Sequence, residues 1–338
     1  MGITLNKLYP GKLDHDFLHH LLSTYTSTGS RVIAGAQVGE DAAVIDMGDK
    51  CLVVKTDPIT FTTEHIGYYA VHVNANDIVC MGATPKWFTA TLLLPEKSTR
   101  QMAENIFAQI SRACKTEKIV YCGGHTEVTY SIKQPIVVGQ MLGEVGKDEL
   151  LLKRHIAIGD HLVLIQHIPI EAVSILAREK QQVLQEQFSA DFVRTCQNFL
   201  FFPGIGIAPY AQLARDVAQV HAMHDPTEGG VATAIHEMAR AADRGVVIDQ
   251  SKIPIMAEGK LVCEFFDLDP LGCLSSGSLL LAVPHKSIEP IIKACSSKNI
   301  PAADIGKFVE KEKGLILLDG QQQKRLPLFV QDEIVKIF

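Results

Sequence analysis

The 338-residue sequence lacks any apolar run long enough to cross a bilayer, and its first residues, MGITLNKLYPGKLDHDF, have no apolar core of the kind that secretion requires. It also lacks an excess of positive charge, because 32 Lys and Arg residues stand against 38 Asp and Glu residues and give a net charge of −6. Such a balance disfavours a broad binding surface for nucleic acid. We therefore expect a cytoplasmic protein that binds neither a membrane nor nucleic acid.

Paired cysteines are also missing, since the eight cysteines are scattered and no C-x-x-C pair occurs. We expect reduced and mostly buried thiols. In YCGGHTEVTY (121–130), Cys122 and His125 stand three residues apart, which is a spacing that metal ligands use. A lone Cys-x-x-His pair is a weak signal, so a transition-metal site remains an alternative only. The further histidines that such a site would use are His65, His72 and His224.

Three motifs of common enzyme classes are absent from the sequence. There is no G-x-x-x-x-G-K-[ST] loop, no G-x-G-x-x-G opening a helix after a strand, and no G-x-S-x-G. These absences leave a P-loop nucleotide site, a dinucleotide-binding fold and a hydrolase nucleophile elbow without support. A nucleotide-binding function would have to rest on other residues.

Apolar periodicity predicts alternating helices and strands in two halves, which is typical of an α/β or α+β protein. The charged stretch 146–162 separates the halves, so we expect an N-terminal domain of residues 1–150 and a C-terminal domain of residues 151–338. The predicted helices are 66–83, 98–117, 170–180, 206–217, 229–242 and 286–298. The predicted strands are 51–57, 86–95, 118–124, 134–145, 161–167, 245–249, 277–283 and 314–318.

Acidic residues of the first half stand where burial would make them costly. Asp41 precedes a short apolar strand, Asp57 ends a predicted strand, and Asn76 and Asp77 lie in an apolar helix. Each acid alone is as easily a cap or an ion-pair partner, but three together favour a carboxylate site for Mg²⁺ with phosphate. Lys55 lies on the same strand face as Asp57, where it could pair with that acid or offset phosphate charge.

Several stretches together resemble the aminoimidazole ribonucleotide synthetase superfamily. VGEDAAVI, KTDPITF, YYAVHVNANDIVCMGATPKW, CGGHTEVT and HDPTEGGVATAIHEMA occur in that family's order, over roughly residues 30–285. AVHVNANDI and DPTEGGVATA are most similar to HypE-like hydrogenase maturation proteins. The resemblance implies a two-domain PurM-like α/β (α+β) fold, in which the N-terminal domain binds ATP and pairs its sheet in a homodimer.

The resemblance also implies roles for individual residues, in a site that binds ATP and Mg²⁺. The metal would be held by Asp41, Asp57 and Asp77, with Glu127 as a further candidate. The catalytic candidates are Asp77, His125 and Asp225. The nucleotide-binding candidates are Lys12, Lys55, Asn76, Gly123, Gly124, Thr126 and Thr227. Glycine suits such a loop because only glycine lets backbone approach a phosphate so closely.

The sequence departs from that family in several places. The family's glycine-rich N-terminal segment is represented only by Gly11 and Lys12 in YPGKLDHDF. His125 stands where relatives carry an acid, and Glu127 would compensate on the same face if the strand continues. Ser276 stands where the family's second domain carries an acid, in LSSGSLLL. With no Cys in the last forty residues, we do not expect the dehydration that HypE carries out on its own C-terminal cysteine.

Two functions follow as expectations. The first is an ATP- and Mg²⁺-dependent enzyme that activates an oxygen of a small-molecule or carboxamide substrate by phosphoryl transfer, and the retained aspartates favour it. The alternative is a non-catalytic nucleotide-binding maturation or regulatory partner, which the altered positions favour. In either case we expect a homodimer, with a maturation partner protein as a further candidate.

Overall fold

The computed structural model describes residue 8, residues 11–60 and residues 62–338 of the chain. Tyr9 and Pro10 of the segment YPGKLDHDF lie outside the described residues. The helices in the described part are α1 (His15–Tyr25), α2 (Ile66–Cys80), α3 (Arg100–Thr116), α4 (Ile170–Glu179), α5 (Gln181–Gln185), α6 (Ala190–Asn198), α7 (Ala208–Val217), α8 (Gly230–Ala242), α9 (Ala257–Phe266) and α10 (Ile288–Ser296). None of them is long and apolar enough to cross a membrane.

The strands form two separate sheets, one in each half of the chain. The first sheet comprises β1 (Val32–Ala34), β2 (Ala43–Asp46), β3 (Lys50–Ile59), β4 (Thr84–Pro95), β5 (Val120–Thr129) and β6 (Ile136–Gly146). The second comprises β7 (His161–Ile165), β8 (Ala222–His224), β9 (Gly245–Asp249), β10 (Leu279–Val283), β11 (Ala302–Val309), β12 (Leu315–Asp319) and β13 (Gln322–Arg325). The mixed α/β fold class that the sequence predicts is therefore confirmed.

The first sheet has the order β1-β2-β3-β6-β4-β5 and is antiparallel except for the β4–β5 pair. Its core strands carry the packing surface for α2, a helix that is apolar almost all round and buried along nearly its whole length. The helix approaches β6 closely because two strand residues there are glycines. A Cβ on Gly143 would lie 2.3 Å from the side chain of Ile78, and one on Gly139 would lie 2.4 Å from that of Asn74.

The second sheet has the order β13-β12-β9-β11-β7-β10-β8 and is covered on both faces. One face packs an apolar cluster against α8, and the other packs a cluster against α7 and α10. This explains why β7 and β10 read as almost unbroken apolar runs, since strands buried on both faces have no solvent side.

Helix α2 also joins the two halves. The Asn76 side chain donates from Nδ2 to the Ile205 carbonyl (2.9 Å) and accepts at Oδ1 from the Ile207 N–H (3.1 Å). Arg215 of α7 donates to the Gly82 carbonyl just beyond the end of α2 (2.8 Å). These bonds hold the acid of α2, Asp77, against the second half of the chain.

The predicted helices and strands listed above are all present, with small shifts at their ends. One shift matters for the site, because β5 continues to Thr129 instead of ending at the glycines. The sequence analysis missed several elements of the second half and one near the N-terminus. The missed elements include α1, α6, α9 and β11.

Candidate functional site

A cavity of about 110 Å³ lies where the two halves meet, and most of its lining side chains are charged. Three aspartates of the first half line it from separate elements: Asp41 before β2, Asp57 on β3 and Asp77 on α2. The second half adds Asp225 and His224, at the end of β8. The convergence of the three aspartates that the sequence singled out is thus present in the folded chain.

Lys55 lies between two of these acids. Its Nζ is 3.3 Å from Oδ2 of Asp57 and 3.3 Å from Oδ1 of Asp77. Burial alone would lower the pKa of Lys55, but the carboxylates of Asp77 and Asp57 outweigh burial and raise it. From the sequence, Lys55 could either pair with an acid or offset phosphate charge. In the structure it forms an ion pair, and its charge also faces the cavity.

Asp77 is only 5% exposed, and its Oδ2 has no hydrogen-bond partner among the described residues. Burial raises the pKa of Asp77 well above its ordinary value, and the nearby Asp225 and Asp57 carboxylates add to the rise, against the attraction of Lys55. A buried carboxylate oxygen without a partner is costly. A cation in the cavity would relieve that cost.

Asp41 is held by two cationic groups. Lys153 Nζ lies 2.5 Å from its Oδ2, and His224 Nδ1 lies 2.6 Å from its Oδ1. Burial opposes ionisation here, but His224 and Lys153 together lower the pKa of Asp41 far below its ordinary value. The other ring nitrogen of His224, Nε2, lies 2.9 Å from Oε2 of Glu237 on α8. Burial would lower the pKa of His224, yet Asp41 and the hydrogen bond to Glu237 raise it.

Asp225 is 1% exposed and lies beside the charged groups of Asp41 and His224. Cys80 Sγ lies 3.5 Å from its Oδ1, and its Oδ2 has no partner in the described part of the chain. Burial and the neighbouring Asp41 raise the pKa of Asp225. Asp41, His224 and Asp225 each offer one ligand atom, and these atoms lie within 4.8 Å of one another. With Asp57 and Asp77 nearby, the donor set is rich in carboxylate oxygen, which fits Mg²⁺.

Lys12 reaches this cavity from the N-terminal segment. Its Nζ lies 3.3 Å from Thr227 Oγ1 and 3.3 Å from Glu237 Oε1. Burial would lower the pKa of Lys12, but Glu237 and Glu228 raise it overall. Thr227 stands just before Gly229, the N-cap of α8, where free backbone N–H groups favour anions. Two sequence-predicted nucleotide contacts that stand 215 residues apart in the chain therefore meet here.

The residues of CGGHTE lie elsewhere, on β5 at the edge of the first sheet. Glu127 does share a face with His125, and their Oε2 and Nε2 atoms are 3.1 Å apart. Gly124 has a structural requirement, since φ is +144° and a Cβ there would lie 1.9 Å from the Ala90 carbonyl oxygen. All five candidates on this strand are exposed and lie outside the lining of the acidic cavity within one chain, namely Gly123, Gly124, His125, Thr126 and Glu127.

Asn76, another predicted nucleotide contact, has its amide engaged by the backbone of Ile205 and Ile207. It positions Asp77 and does not line the cavity. The alternative of a transition-metal site is not supported by the positions of its candidate ligands. Within the described residues, no three of these candidates lie close enough to share a metal ion, namely Cys122, His125, His65, His72 and His224. Only His224 lies at the acidic cavity, where Asp41 and Glu237 bracket it.

Sequence reasoning missed two members of the site, Lys153 and Glu237. Lys153 is 1% exposed, although it comes from the charged stretch that suggested a domain boundary. Its signal was the run LLLKRH, in which a lysine directly follows three leucines. Glu237 lies on the apolar face of α8, where a buried acid calls for a partner.

Comparison with known proteins identifies the family. The model of the AIR synthase related protein N-terminal domain matches residues 39–145, and that of the C-terminal domain matches residues 157–318. A hydrogenase expression/formation protein of Methanocaldococcus jannaschii is 27% identical over 294 residues, covering 84% of this chain and 83% of that protein. Carbamoyl dehydratase HypE of Escherichia coli (strain K12) is 25% identical over 263 residues, covering 76% and 74%.

Solved structures share the fold. A HypE–HypF complex contains a chain that matches with a TM-score of 0.73 at 18% identity, covering 91% of this chain and 98% of that one. Hydrogenase maturation protein HypE in complex with ATP matches with a TM-score of 0.67 at 20% identity, covering 92% and 90%. The resemblance that the motifs carry is confirmed, and the chain belongs to the AIR synthase related protein family.

Proposed function

We propose that the protein uses ATP with Mg²⁺ to activate an oxygen of a carbamoyl or other carboxamide substrate by phosphoryl transfer. The observation that carries this proposal is the convergence of Asp41, Asp57, Asp77 and Asp225 around Lys55 in one cavity at the junction of the halves. A relative named carbamoyl dehydratase and a solved relative in complex with ATP support the substrate class and the nucleotide.

In this proposal the acidic residues bind the metal ion and the basic residues bind phosphate. Asp77 and Asp225 would hold Mg²⁺ through their unpartnered oxygens, with Asp41 and Asp57 beside them. When bound, the metal neutralises negative charge on the transferring phosphoryl group. Lys55 and Lys12, which both line the cavity, would bind phosphate oxygens, and the N-terminus of α8 would add backbone donors near Thr227. Because phosphoryl transfer needs mainly positioning and charge neutralisation, these groups are sufficient in kind.

We also propose the division into domains 1–150 and 151–338, and a homodimer formed along β5. This edge strand is exposed on both faces and carries exposed apolar side chains at Val120 (58%) and Val128 (61%), followed by Tyr130 (84%). An unpaired strand edge of this kind favours pairing with a second copy. In the dimer, Gly123, Gly124, His125, Thr126 and Glu127 would serve a nucleotide shared with the partner.

Ser276 favours a second candidate, a nucleotide-binding maturation or regulatory partner that does not turn over ATP. The resemblance implies an acid at this position, so a serine there would leave the second half of the chain one carboxylate short, and the solved HypE–HypF complex supports a protein partner. One assay distinguishes the enzyme from the non-catalytic partner. It measures phosphate release from ATP, with and without Mg²⁺, in the presence of a panel of primary carboxamides and carbamates. The enzyme requires Mg²⁺-dependent release that Asp57→Asn and Asp77→Asn abolish. Tight ATP binding without phosphate release in the presence of any of these substrates would instead support the regulatory partner.

A further inference from the structure

A second group of metal-ligating side chains lies away from the acidic cavity, at the opposite end of β10. Near its start, β10 pairs with His224, which lines the acidic cavity, whereas its last residue pairs with His161. His285 follows two residues after the end of β10, and Asp304 lies on β11. None of His161, His285 and Asp304 lines the acidic cavity.

The two imidazole rings face each other through one nitrogen each. Nε2 of His161 lies 3.3 Å from Nδ1 of His285, and the ring centroids are 5.0 Å apart. Two nitrogens that bind one tetrahedral ion at a Zn–N distance of about 2.0–2.1 Å lie about 3.3 Å from each other. The spacing therefore matches two imidazoles that share a tetrahedral ion. It also suits a direct hydrogen bond between the rings, so the surroundings of the pair decide between the two arrangements.

Asp304 fixes which nitrogen of His161 is free. Its Oδ2 lies 2.9 Å from Nδ1 of His161, so the carboxylate accepts the Nδ1 proton and leaves the lone pair of Nε2 directed at His285. Metal-binding histidines usually have such a carboxylate behind the ring, because it sets the tautomer and makes the other nitrogen a better ligand. The second oxygen of Asp304, Oδ1, is buried and has no hydrogen-bond partner in the described part of the chain. A cation on the far side of the imidazole would compensate this charge.

Separate backbone elements hold the three side chains in place. His161 is the first residue of β7 and is paired on both sides, with β10 and with β11. Asp304 stands at a β-bulge, where the register of β11 against β7 shifts by one residue, and bulges redirect side chains. His285 begins a 3₁₀ turn that is closed by a hydrogen bond from the Ser287 N–H to the Pro284 carbonyl (2.8 Å). Ligands on such elements are more precisely placed than ligands on flexible loops.

The surroundings leave further coordination positions to water. A cleft of about 950 Å³ lies beside α10 and is open to solvent, and both His285 and Asp304 line it. The lysines that line the same cleft, Lys286 and Lys293, are exposed and can turn their charges to solvent. Imidazole nitrogen suits Zn²⁺, Ni²⁺ and Cu²⁺, whereas Mg²⁺ prefers oxygen and does not fit two facing nitrogens.

We propose that His161 and His285 bind a divalent transition-metal ion, and that Asp304 is the positioning residue that orients His161. The site is separate from the acidic cavity and takes no part in phosphoryl transfer. A bound ion links the start of β7 to the connection between β10 and α10, and so it stabilises this end of the second sheet. With two protein ligands instead of the four of a closed zinc site, the ion exchanges with solution.

Zinc titration of the full-length protein, freed of metal by a chelator, tests the proposal. Calorimetry measures the Kd of Zn²⁺ with excess Mg²⁺ present, so that Mg²⁺ competes for the carboxylates of the acidic cavity. His285→Ala should weaken one zinc site at least about tenfold, because it removes one of two ligands. His20→Ala is the matched control, since His20 is an exposed histidine on α1. It should leave this site unchanged.

Asp304→Asn tests the positioning role, because it keeps both imidazoles but weakens the carboxylate behind His161. We expect it to raise the Kd of Zn²⁺ about tenfold. Thermal unfolding gives a second readout: Zn²⁺ should raise the Tm of wild type and leave that of His285→Ala unchanged. If Asp304 were merely structural, Asp304→Asn would lower the Tm without zinc and leave the Kd of Zn²⁺ as in wild type.

Equal zinc affinity in wild type and His285→Ala would overturn the proposal and leave a hydrogen bond between the rings as the role of the pair. An equal loss in His20→Ala would also overturn it, because the zinc would then not be bound specifically by His161 and His285. The test does not depend on a buried substitution, since His285 is exposed and its replacement leaves the pairing of β10 intact.

Discussion

Asp41 of the first half and His224 of the second half meet at 2.6 Å, between Oδ1 and Nδ1. The contact divides the acids of the cavity into two kinds. Asp41 is neutralised by His224 and Lys153, which lower its pKa, whereas burial raises the pKa values of Asp77 and Asp225. Of these three aspartates, Asp77 and Asp225 therefore carry the less compensated negative charge. Added positive charge stabilises the folded site most at Asp77 and Asp225.

Replacing one of those two acids should weaken nucleotide binding selectively. Asp77→Asn keeps the shape of the side chain and leaves Lys55 paired with Asp57. We expect the chain to remain folded and the Mg²⁺-dependent part of its ATP affinity to fall at least about tenfold. Calorimetric titration with ATP at several Mg²⁺ concentrations measures this, with Asp216→Asn on the exposed side of α7 as control. Unchanged Mg²⁺ dependence in Asp77→Asn would remove Asp77 from the metal site.

The buried pair of Lys153 and Asp41 should be needed for stability. Both side chains are at most 3% exposed, so Lys153→Met leaves the Asp41 carboxylate with one cationic partner, His224. Breaking a buried pair costs about 3–5 kcal/mol, and the remaining histidine places the expected loss at the lower end. Urea unfolding measures the change, and Lys153→Met/Asp41→Asn should recover part of it because no buried charge is then stranded. A loss below about 1 kcal/mol would contradict a structural role for the pair.

The sequence predicted the acidic site because each acid broke a strong local pattern. Asp57 stands at the polar end of a predicted apolar strand and Asp77 in a helix that is apolar almost all round, so both acids stood out without a structure. Which cation meets which acid was not visible, since that depends on how the halves pack. Lys153 illustrates the limit: its sequence neighbours are charged, yet its side chain is buried against Asp41.

The glycines of β5 illustrate a second limit. In sequence, Gly123 and Gly124 looked equivalent and suggested a phosphate loop at the end of a strand. In the structure the strand continues through them to Thr129, and the two residues have different surroundings. Neighbouring strands decide which glycine is sterically required, and strand order is not encoded in local periodicity.

Those two glycines give a matched pair of variants. Both have positive φ, so alanine is strained at either position by about 1–3 kcal/mol. At Gly124 a Cβ would also overlap the Ala90 carbonyl oxygen, whereas at Gly123 nothing lies within 4 Å. Gly124→Ala should therefore destabilise the fold more than Gly123→Ala, as measured by urea unfolding. If Gly123 contacts phosphate across a dimer, Gly123→Ala should lower ATP affinity while the chain stays folded; equal stability losses would refute the steric distinction.

The proposed homodimer depends on the exposed edge formed by β5. Val128→Arg places a charge on this edge, next to Glu127 and 61% exposed in the isolated chain. We expect the variant to sediment as a monomer at concentrations where wild type is a dimer, because charge on an edge strand opposes strand pairing. Val183→Arg on α5, 40% exposed in wild type, is the surface control and should not alter the sedimentation. If the Val128→Arg protein is still a dimer, the dimer interface does not lie along β5.

Glu171 should make stability depend on pH in a predictable direction. Burial raises its folded-state pKa from the ordinary value of 4.5 to about 7, so the folded chain holds a proton that the unfolded chain releases first. That stabilisation is complete below about pH 4.5 and is lost as pH rises through about 7.

Relative to Glu171→Gln, the free energy of unfolding of wild type should therefore fall across this window, by up to about 1.4 kcal/mol for each pH unit, and then level off. Burial also raises the pKa of Asp332, to about 8, and the Glu171 carboxylate adds to that rise in wild type only, so Asp332 reinforces the fall above about pH 7. Urea unfolding of the two proteins at intervals from pH 5 to pH 8 measures the effect. Parallel curves would mean that Glu171 is ionised in the folded protein throughout, and that the Ser276 loop compensates its charge more fully than its burial opposes it.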